Sequence, residues 1–153
     1  MNLRQLFVVG ILFSSFGIST INAQTPCKFF GSKMCNRYVE AEYRSNGQTN
    51  SASMAGGESA TLQMVFYKGH DYRLVFCAEE HLGELSIKIK GSDGEKLFDN
   101  SEHEMATYWD FTMKKTQRFI IEVSAPGLSE DEVMEGCVAI SVGVRPSVAK
   151  GFN

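Results

Sequence analysis

The chain holds four cysteines, Cys27, Cys35, Cys77 and Cys137, and all four lie beyond its first 23 residues. Those 23 residues have the three parts of a cleavable export leader: Arg4, an apolar run from Leu6 to Ile18, and the small-residue exit Thr20-Ile21-Asn22-Ala23. An even set of cysteines confined to the exported part implies two disulfides formed in an oxidising compartment, the periplasm or the extracellular space. Any fold open to this chain must therefore bring these four positions together in pairs.

The apolar run of the leader is about 13 residues, short of the roughly 20 that a spanning helix needs, and no later segment is comparably apolar. No transmembrane segment is expected. Cys27 follows Thr25-Pro26, four residues past Ala23, which does not fit a lipid-modified cysteine. Cleavage after Ala23 leaves 130 residues, enough for one domain with a real core. The exported part carries 14 basic and 18 acidic residues, a formal charge of −4, and its only adjacent basic pair is Lys114-Lys115. Scattered positive charge on an acidic chain excludes nucleic acid as a partner and gives no polybasic membrane patch. The absence of an Asn-x-Ser/Thr sequon favours a bacterial source.

From about residue 60 the apolar period is two, which argues an all-β fold. Leu62, Met64 and Phe66 alternate with polar or outward positions, Lys68-Gly69-His70-Asp71 interrupts, and Tyr72, Leu74 and Phe76 resume the alternation, a pattern that reads as a hairpin. Leu85, Ile87 and Ile89 run into the turn Gly91-Ser92-Asp93-Gly94 and on to Leu97-Phe98, a second hairpin. Further strands are predicted at 107–113, 118–123 and 137–144, about seven in all, which suggests an antiparallel, jelly-roll-like β-sandwich over residues 58–145. The N-terminal part, 24–57, is less regular. Residues 32–43 fit either a short helix with Met34, Tyr38 and Ala41 on one face or an edge strand through 37–43. Residues 45–59, rich in Ser, Asn and Gly, read as a mobile loop. Residues 146–153 read as a tail.

Strand parity bears on the cysteines. Cys77 shares a face with Arg73 and Val75, opposite Tyr72, Leu74 and Phe76. Cys137 shares a face with Ala139, Ser141 and Gly143, opposite Val138, Ile140 and Val142. Both point away from the apolar face, and two cysteines on one side of neighbouring strands come within bridging reach. Parity therefore pairs Cys77 with Cys137 and leaves Cys27 with Cys35.

The chemistry-bearing residues are sparse. There is no Cys-x-x-Cys, no His-Glu-x-x-His and no Gly-x-Ser-x-Gly, and His70, His81 and His103 sit in polar turns, so no catalytic residue is assigned and no cofactor is expected. Asp93, Asp99, Asn100 and Glu102 are the weak calcium candidates, since several oxygens follow one tight turn, although solvated loop charge that keeps strands from pairing explains them as well. Trp109, Phe111 and Met113 are expected to fill the core. Tyr108 points the other way and is the candidate surface residue, because exposed tyrosine stacks on sugar rings or anchors protein partners.

The stretch Lys68-Gly69-His70-Asp71-Tyr72-Arg73, with Cys77, Leu97-Phe98-Asp99-Asn100, Asp110-Phe111-Thr112 and Gly136-Cys137-Val138, resembles uncharacterised small secreted bacterial β-sandwich proteins, and its order of turns is similar to that of pre-peptidase C-terminal domains. The resemblance covers about residues 58–145. It implies a non-catalytic accessory or binding role and carries over no catalytic residue. The expectation is thus an exported binding module of the cell envelope or extracellular space, with an unknown protein or glycan partner. The alternatives are a purely structural secreted protein with no small ligand, and, third, a hydrolase.

Overall fold

A computed structural model describes residues 27–39, 41–127 and 135–147 of the chain. The leader predicted at 1–23, residues 148–153 of the predicted tail and residues 128–134 before the last strand lie outside the described residues. Among the described residues there are eight strands: β1 Arg44–Ala55, β2 Ser59–Phe66, β3 His70–Ala78, β4 Ser86–Gly91, β5 Lys96–Asp99, β6 Tyr108–Thr112, β7 Gln117–Ser124 and β8 Glu135–Pro146. They form two antiparallel four-stranded sheets, ordered β1-β8-β3-β6 and β2-β7-β4-β5. Eight strands alternating between two sheets in this order make a jelly roll.

Inward residues at every second position build one core between the sheets. Leu74, Phe76, Ile140 and Val142 from the first sheet meet Phe66, Ile87, Ile89, Phe119 and Ile121 from the second, and all are buried. Each such side chain contributes about 1.5 to 3 kcal/mol by leaving water. At one end the core is aromatic: Trp109 stacks on Phe111 at 4.3 Å and on Phe98 at 5.2 Å, and Phe66 meets Tyr72 edge-on at 4.9 Å. Trp109, Phe111 and Met113 therefore pack with the core, as their parity requires.

The pairing of β4 with β5 is the hairpin expected across Gly91–Gly94. Two other expectations are corrected. Strands β2 and β3 belong to opposite sheets, so Tyr67–Gly69 is an arch and not a hairpin turn. Period-two alternation cannot separate the two cases, because both strands turn the same parity inward whether they lie side by side or face to face. The segment 45–59 holds most of β1, which pairs along β8 from Arg44 opposite Val144 to Ala55 opposite Glu135. Its Ser, Asn and Gly content reflects an edge strand with one face in water, and a register shift between Ser45 and Thr49 accommodates Gly47.

Residues 27–38 are helical: an α turn at Cys27–Phe29, a π turn at Phe30–Met34 and a 3₁₀ turn at Cys35–Tyr38. Of the two alternatives for residues 32–43, the helical one holds as far as Tyr38, and Ala41 lies in a turn outside it. Cys27, Gly31 and Cys35, spaced by four, form its buried face. That face lies on the outer surface of the first sheet, where Val75 and Ala139 are buried beneath it with Phe30 and Val39 alongside. The molecule thus has a third layer over part of its first sheet. Two glycines permit the close approach. A Cβ on Gly31 would sit 2.8 Å from Thr49 Cγ2, and a Cβ on Gly143 would sit 2.7 Å from Val39 Cγ1 and 2.8 Å from Tyr43 Cβ.

The disulfides follow from this layer and correct the parity pairing. Cys27 bonds Cys137 with Cα atoms 5.0 Å apart, and Cys35 bonds Cys77 at 5.6 Å. Strands β3 and β8 are indeed neighbours, but the register sets Cys77 opposite Ala139. Cys137 is then a diagonal neighbour of Cys77, roughly 7 to 8 Å away, and out of bridging range. Helical rise likewise separates Cys27 from Cys35 by about 12 Å. Each cysteine of the segment instead meets one cysteine of the sheet. The chain-entropy relation gives about 5 kcal/mol for the first bridge and about 4 kcal/mol for the second.

Peptide mapping under non-reducing conditions is expected to recover Cys27 joined to Cys137 and Cys35 joined to Cys77. Recovery of a Cys77–Cys137 peptide would contradict the architecture. Substituting Gly143→Ala is expected to lower stability by about 1 to 3 kcal/mol in urea unfolding by pushing Val39 and Tyr43 off the sheet.

Candidate functional site

Between the helical segment and strand β6, a strip of β3 remains uncovered. Tyr38, at the end of the 3₁₀ turn, stands on one side and Tyr108, at the start of β6, on the other; Val75, Cys77 and Ala78 of β3 form the floor of a hollow of about 340 Å³. The hollow continues past Tyr38 and Cys77 into a wider trough of about 710 Å³, bordered by Phe29 and Met34 on one side and by Glu79, Glu80 and His81 on the other. The result is one groove beside both disulfides. Because Cys27, Gly31 and Cys35 turn toward the sheet, the large side chains on the flank of the same segment are left in water. Phe29 is 67% exposed, Tyr38 64%, Tyr108 51% and Met34 40%. Among the described residues these are four of the six exposed large hydrophobic side chains, and all four line the groove.

A charged network holds the Tyr108 end in place. Arg73, buried on the outer face of β3, donates Nε to Asp110 Oδ1 at 2.6 Å and Nη2 to Asp110 Oδ2 at 2.5 Å, a two-pronged pair across β3 and β6. Its guanidinium also lies 4.7 Å from the ring centre of Tyr108 and 5.1 Å from that of Tyr43. Tyr108 therefore has one face on a fixed cation and the other open. Farther along, Arg145 stacks on Tyr43 at 4.6 Å and pairs with Glu42 and, at 3.3 Å, with Asp71. Asp71 also accepts from Ser147 Oγ at 2.7 Å and Thr112 Oγ1 at 2.8 Å, and these hydrogen bonds, with Arg145, hold its carboxyl below the usual aspartate range. Burial and the negative charge of Asp110 push the Tyr43 phenol up, against the opposing pull of Arg145 and Arg73.

Tyr108 stands where parity placed it, on the outer face. The four oxygen-bearing calcium candidates have separate tasks. Asp93 Oδ1 accepts from the Glu95 N–H within its turn, Asp99 Oδ1 caps the turn Asn100–Glu102 by accepting from Ser101, and Glu102 pairs with Lys96. Asn100 is fully buried, where Oδ1 accepts from Ile87 N–H at 2.8 Å and Nδ2 donates to Leu85 O at 2.8 Å. Among the described residues no three His, Cys, Asp or Glu side chains gather as a metal site, and no cysteine is free. His81 Nε2 lies 3.1 Å from Glu135 O, His70 Nδ1 lies 3.2 Å from Lys68 O, and the His103 ring stacks on Phe98. Sequence reasoning missed Phe29, and it paired Met34 with Tyr38 on one helix face without a partner surface. The available signal was the spacing of Cys27, Gly31 and Cys35 by four, which marks the buried face and so leaves Phe29, Met34 and Tyr38 to its flanks.

No family model matches the chain, and no curated protein matches it. Among solved structures it is similar to PliG of Aeromonas hydrophila, a periplasmic lysozyme inhibitor of g-type lysozyme, with 11% identity, a TM-score of 0.48, and coverage of 64% of this chain and 85% of that one. No helix among the described residues is long and apolar enough to cross a membrane.

The Asp71 carboxylate supplies a pH prediction. A carboxyl whose folded pKa lies below its unfolded value of about 3.9 adds stability above that value and loses it as the pH falls through the folded pKa. Asp71→Asn is therefore expected to be less stable than the parent chain in urea at pH 7, with the difference shrinking as the pH is lowered below about 4. A difference that stays constant down to pH 2 would show that Asp71 acts through shape and not charge.

Proposed function

We propose that this chain is an exported, non-catalytic binding module whose aromatic groove engages a protein partner. One observation carries the reading: four of the six exposed large hydrophobic side chains among the described residues line a single groove. Scattered exposed apolar residues are ordinary, but a contiguous aromatic and methionine surface edged by charge has the composition of an interface core with its polar rim. The rim here is Glu79, Glu80 and His81 on one side and, on the other, Arg37, whose Nη2 lies 3.4 Å from Met34 Sδ. Its backing is rigid, since two disulfides fix the helical segment and the Arg73–Asp110 pair fixes Tyr108, so little ordering opposes association. Export is supported by the leader and by cysteines that are all paired. The turn order similar to pre-peptidase C-terminal domains supports an accessory role in the envelope or outside the cell.

The test is capture by the immobilised mature chain from envelope and medium fractions, run beside the double variant Tyr38→Ala/Tyr108→Ala. A partner of this groove is retained by the parent and reduced about tenfold or more by the variant, while the melting temperature moves by only a few degrees. Equal recovery by both proteins excludes the groove. Recovery of glycan alone changes the class of partner, and recovery of nothing favours the structural reading.

A further inference from the structure

The sandwich has four edge strands, and they are guarded unequally. On one side, β5 and β6 are short and carry Lys96, Asp99 and Asp110. On the other, β1 has 12 residues and β2 has 8, and from Ser45 to Phe66 the only charged residue is Glu58, in the turn between them. Long uncharged edges are what β-proteins ordinarily blunt with lysine, proline or inward charge, because an open row of N–H and C=O groups is a template for another strand.

The row can be located. Ala55 N–H donates to the Glu58 carboxylate at 2.7 Å, and Ala55 O accepts from Glu58 N–H at 3.0 Å, so the backbone of Ala55 faces away from β8. Backbone direction in an antiparallel strand alternates, so Thr49, Ser51 and Ser53 present their N–H and C=O groups on this same edge, where no described residue pairs with them. Behind the edge the two sheets do not close. An apolar hollow of about 250 Å³ opens between β1 and β2, floored by Val123, Val138 and Ile140. Ala52 and Ala60 point inward here by register yet remain exposed, because neither methyl spans the gap between the sheets. A second hollow of about 370 Å³, beside Leu62, Val65 and Tyr67, continues it along β2.

We infer that this side of the sandwich is a strand acceptor: it takes an extended, uncharged segment of a partner protein along β1, with alternate apolar side chains seated in the hollow over Ala52 and Ala60. The occupant follows from the chemistry. Only a peptide backbone pairs with the row at Thr49, Ser51 and Ser53; an acyl chain would fill the hollow and leave that row in water. A helix, about 10 Å or more across, is too wide to continue a sheet whose strands lie about 4.8 Å apart. A second copy of β1 would bring Asn50 and Ala52 to the inward positions and add no bulk to the hollow. Arg44 and Glu58 lie only at the ends of these edges, so a charged segment would bury its charge along the uncharged middle, whereas a neutral segment complements it. This surface lies on the β1 flank of the helical segment, across it from the groove, and does not depend on the groove for its argument. Recognition of this kind draws affinity from main-chain hydrogen bonds and selectivity from pockets for every second side chain.

The experiment uses the mature chain with both disulfides formed, labelled with nitrogen-15, and a neutral heptapeptide alternating Thr with Val or Ile. Binding is expected to slow amide exchange at Thr49, Ser51 and Ser53 but not at Asn50 or Ala52, and to shift the Ala52 methyl. Two variants read the two halves separately. Ser53→Pro removes one free-edge donor while leaving the β1–β8 ladder intact, and Ala52→Leu fills the hollow while keeping every donor; each is expected to weaken the peptide about tenfold or more. A scrambled peptide of the same composition is expected to bind the parent chain about tenfold or more weakly than the alternating one. The inference is overturned by no binding up to millimolar peptide, by equal binding of the scrambled sequence, or by protection centred on β6 or the groove. It is overturned equally if dodecanoate reproduces the Ala52 shift with higher affinity than the peptide, which would make the hollow a lipid site, or if the three amides become protected with rising protein concentration alone, which would make β1 a self-association edge.

Discussion

The two disulfides that pin the helical segment across the first sheet are the constraint on which the rest depends. A segment of about a dozen residues that is part α, part π and part 3₁₀ has no independent stability. It persists because Cys27 and Cys35 are each joined to the sheet and because glycines at 31 and 143 let backbone approach strand without collision. Once held, the segment buries Val75 and Ala139, residues whose parity would otherwise leave them on an outer face. On its flanks Phe29, Met34 and Tyr38 are then placed beside Cys77, and Tyr38 also beside Tyr108 at the start of β6. The groove is a by-product of the staple.

The same layer divides the outer surface by chemistry. On the β6 side, Arg73, Asp110, Tyr43, Arg145 and Asp71 tie strands together through paired charges and stacked rings, which fixes the orientation of Tyr108. On the β1 side there is almost no charge, and the sheets part over Ala52 and Ala60. One face is rigid and aromatic; the opposite edge is neutral and open. A jelly roll closes neither edge pair by itself, so the difference comes from the side chains each edge carries.

Much of the architecture was legible because period-two alternation is a local signal. The β4–β5 hairpin, the inward parity of Trp109 and Phe111 and the outward parity of Tyr108 can all be read from consecutive residues. Strand β1 was not legible, since an edge strand with one face in water needs few apolar residues and its Ser-Asn-Gly content imitates a loop. The arch between β2 and β3 was equally hidden, because a hairpin and an arch impose the same alternation. Of the groove, Tyr108 was visible from its parity, whereas Phe29 had no meaning until a surface existed beneath the helical segment.

The cysteines mark the same boundary. Their even number pointed to two disulfides formed in an oxidising compartment, and strand parity put Cys77 and Cys137 off the apolar faces of their strands. The pairing itself was decided by tertiary structure. A register two residues out of step carries Cys77 and Cys137 beyond bonding distance, and helical rise does the same for Cys27 and Cys35. Register and rise are fixed by contacts distant in sequence, so only the folded chain could join the segment to the sheet.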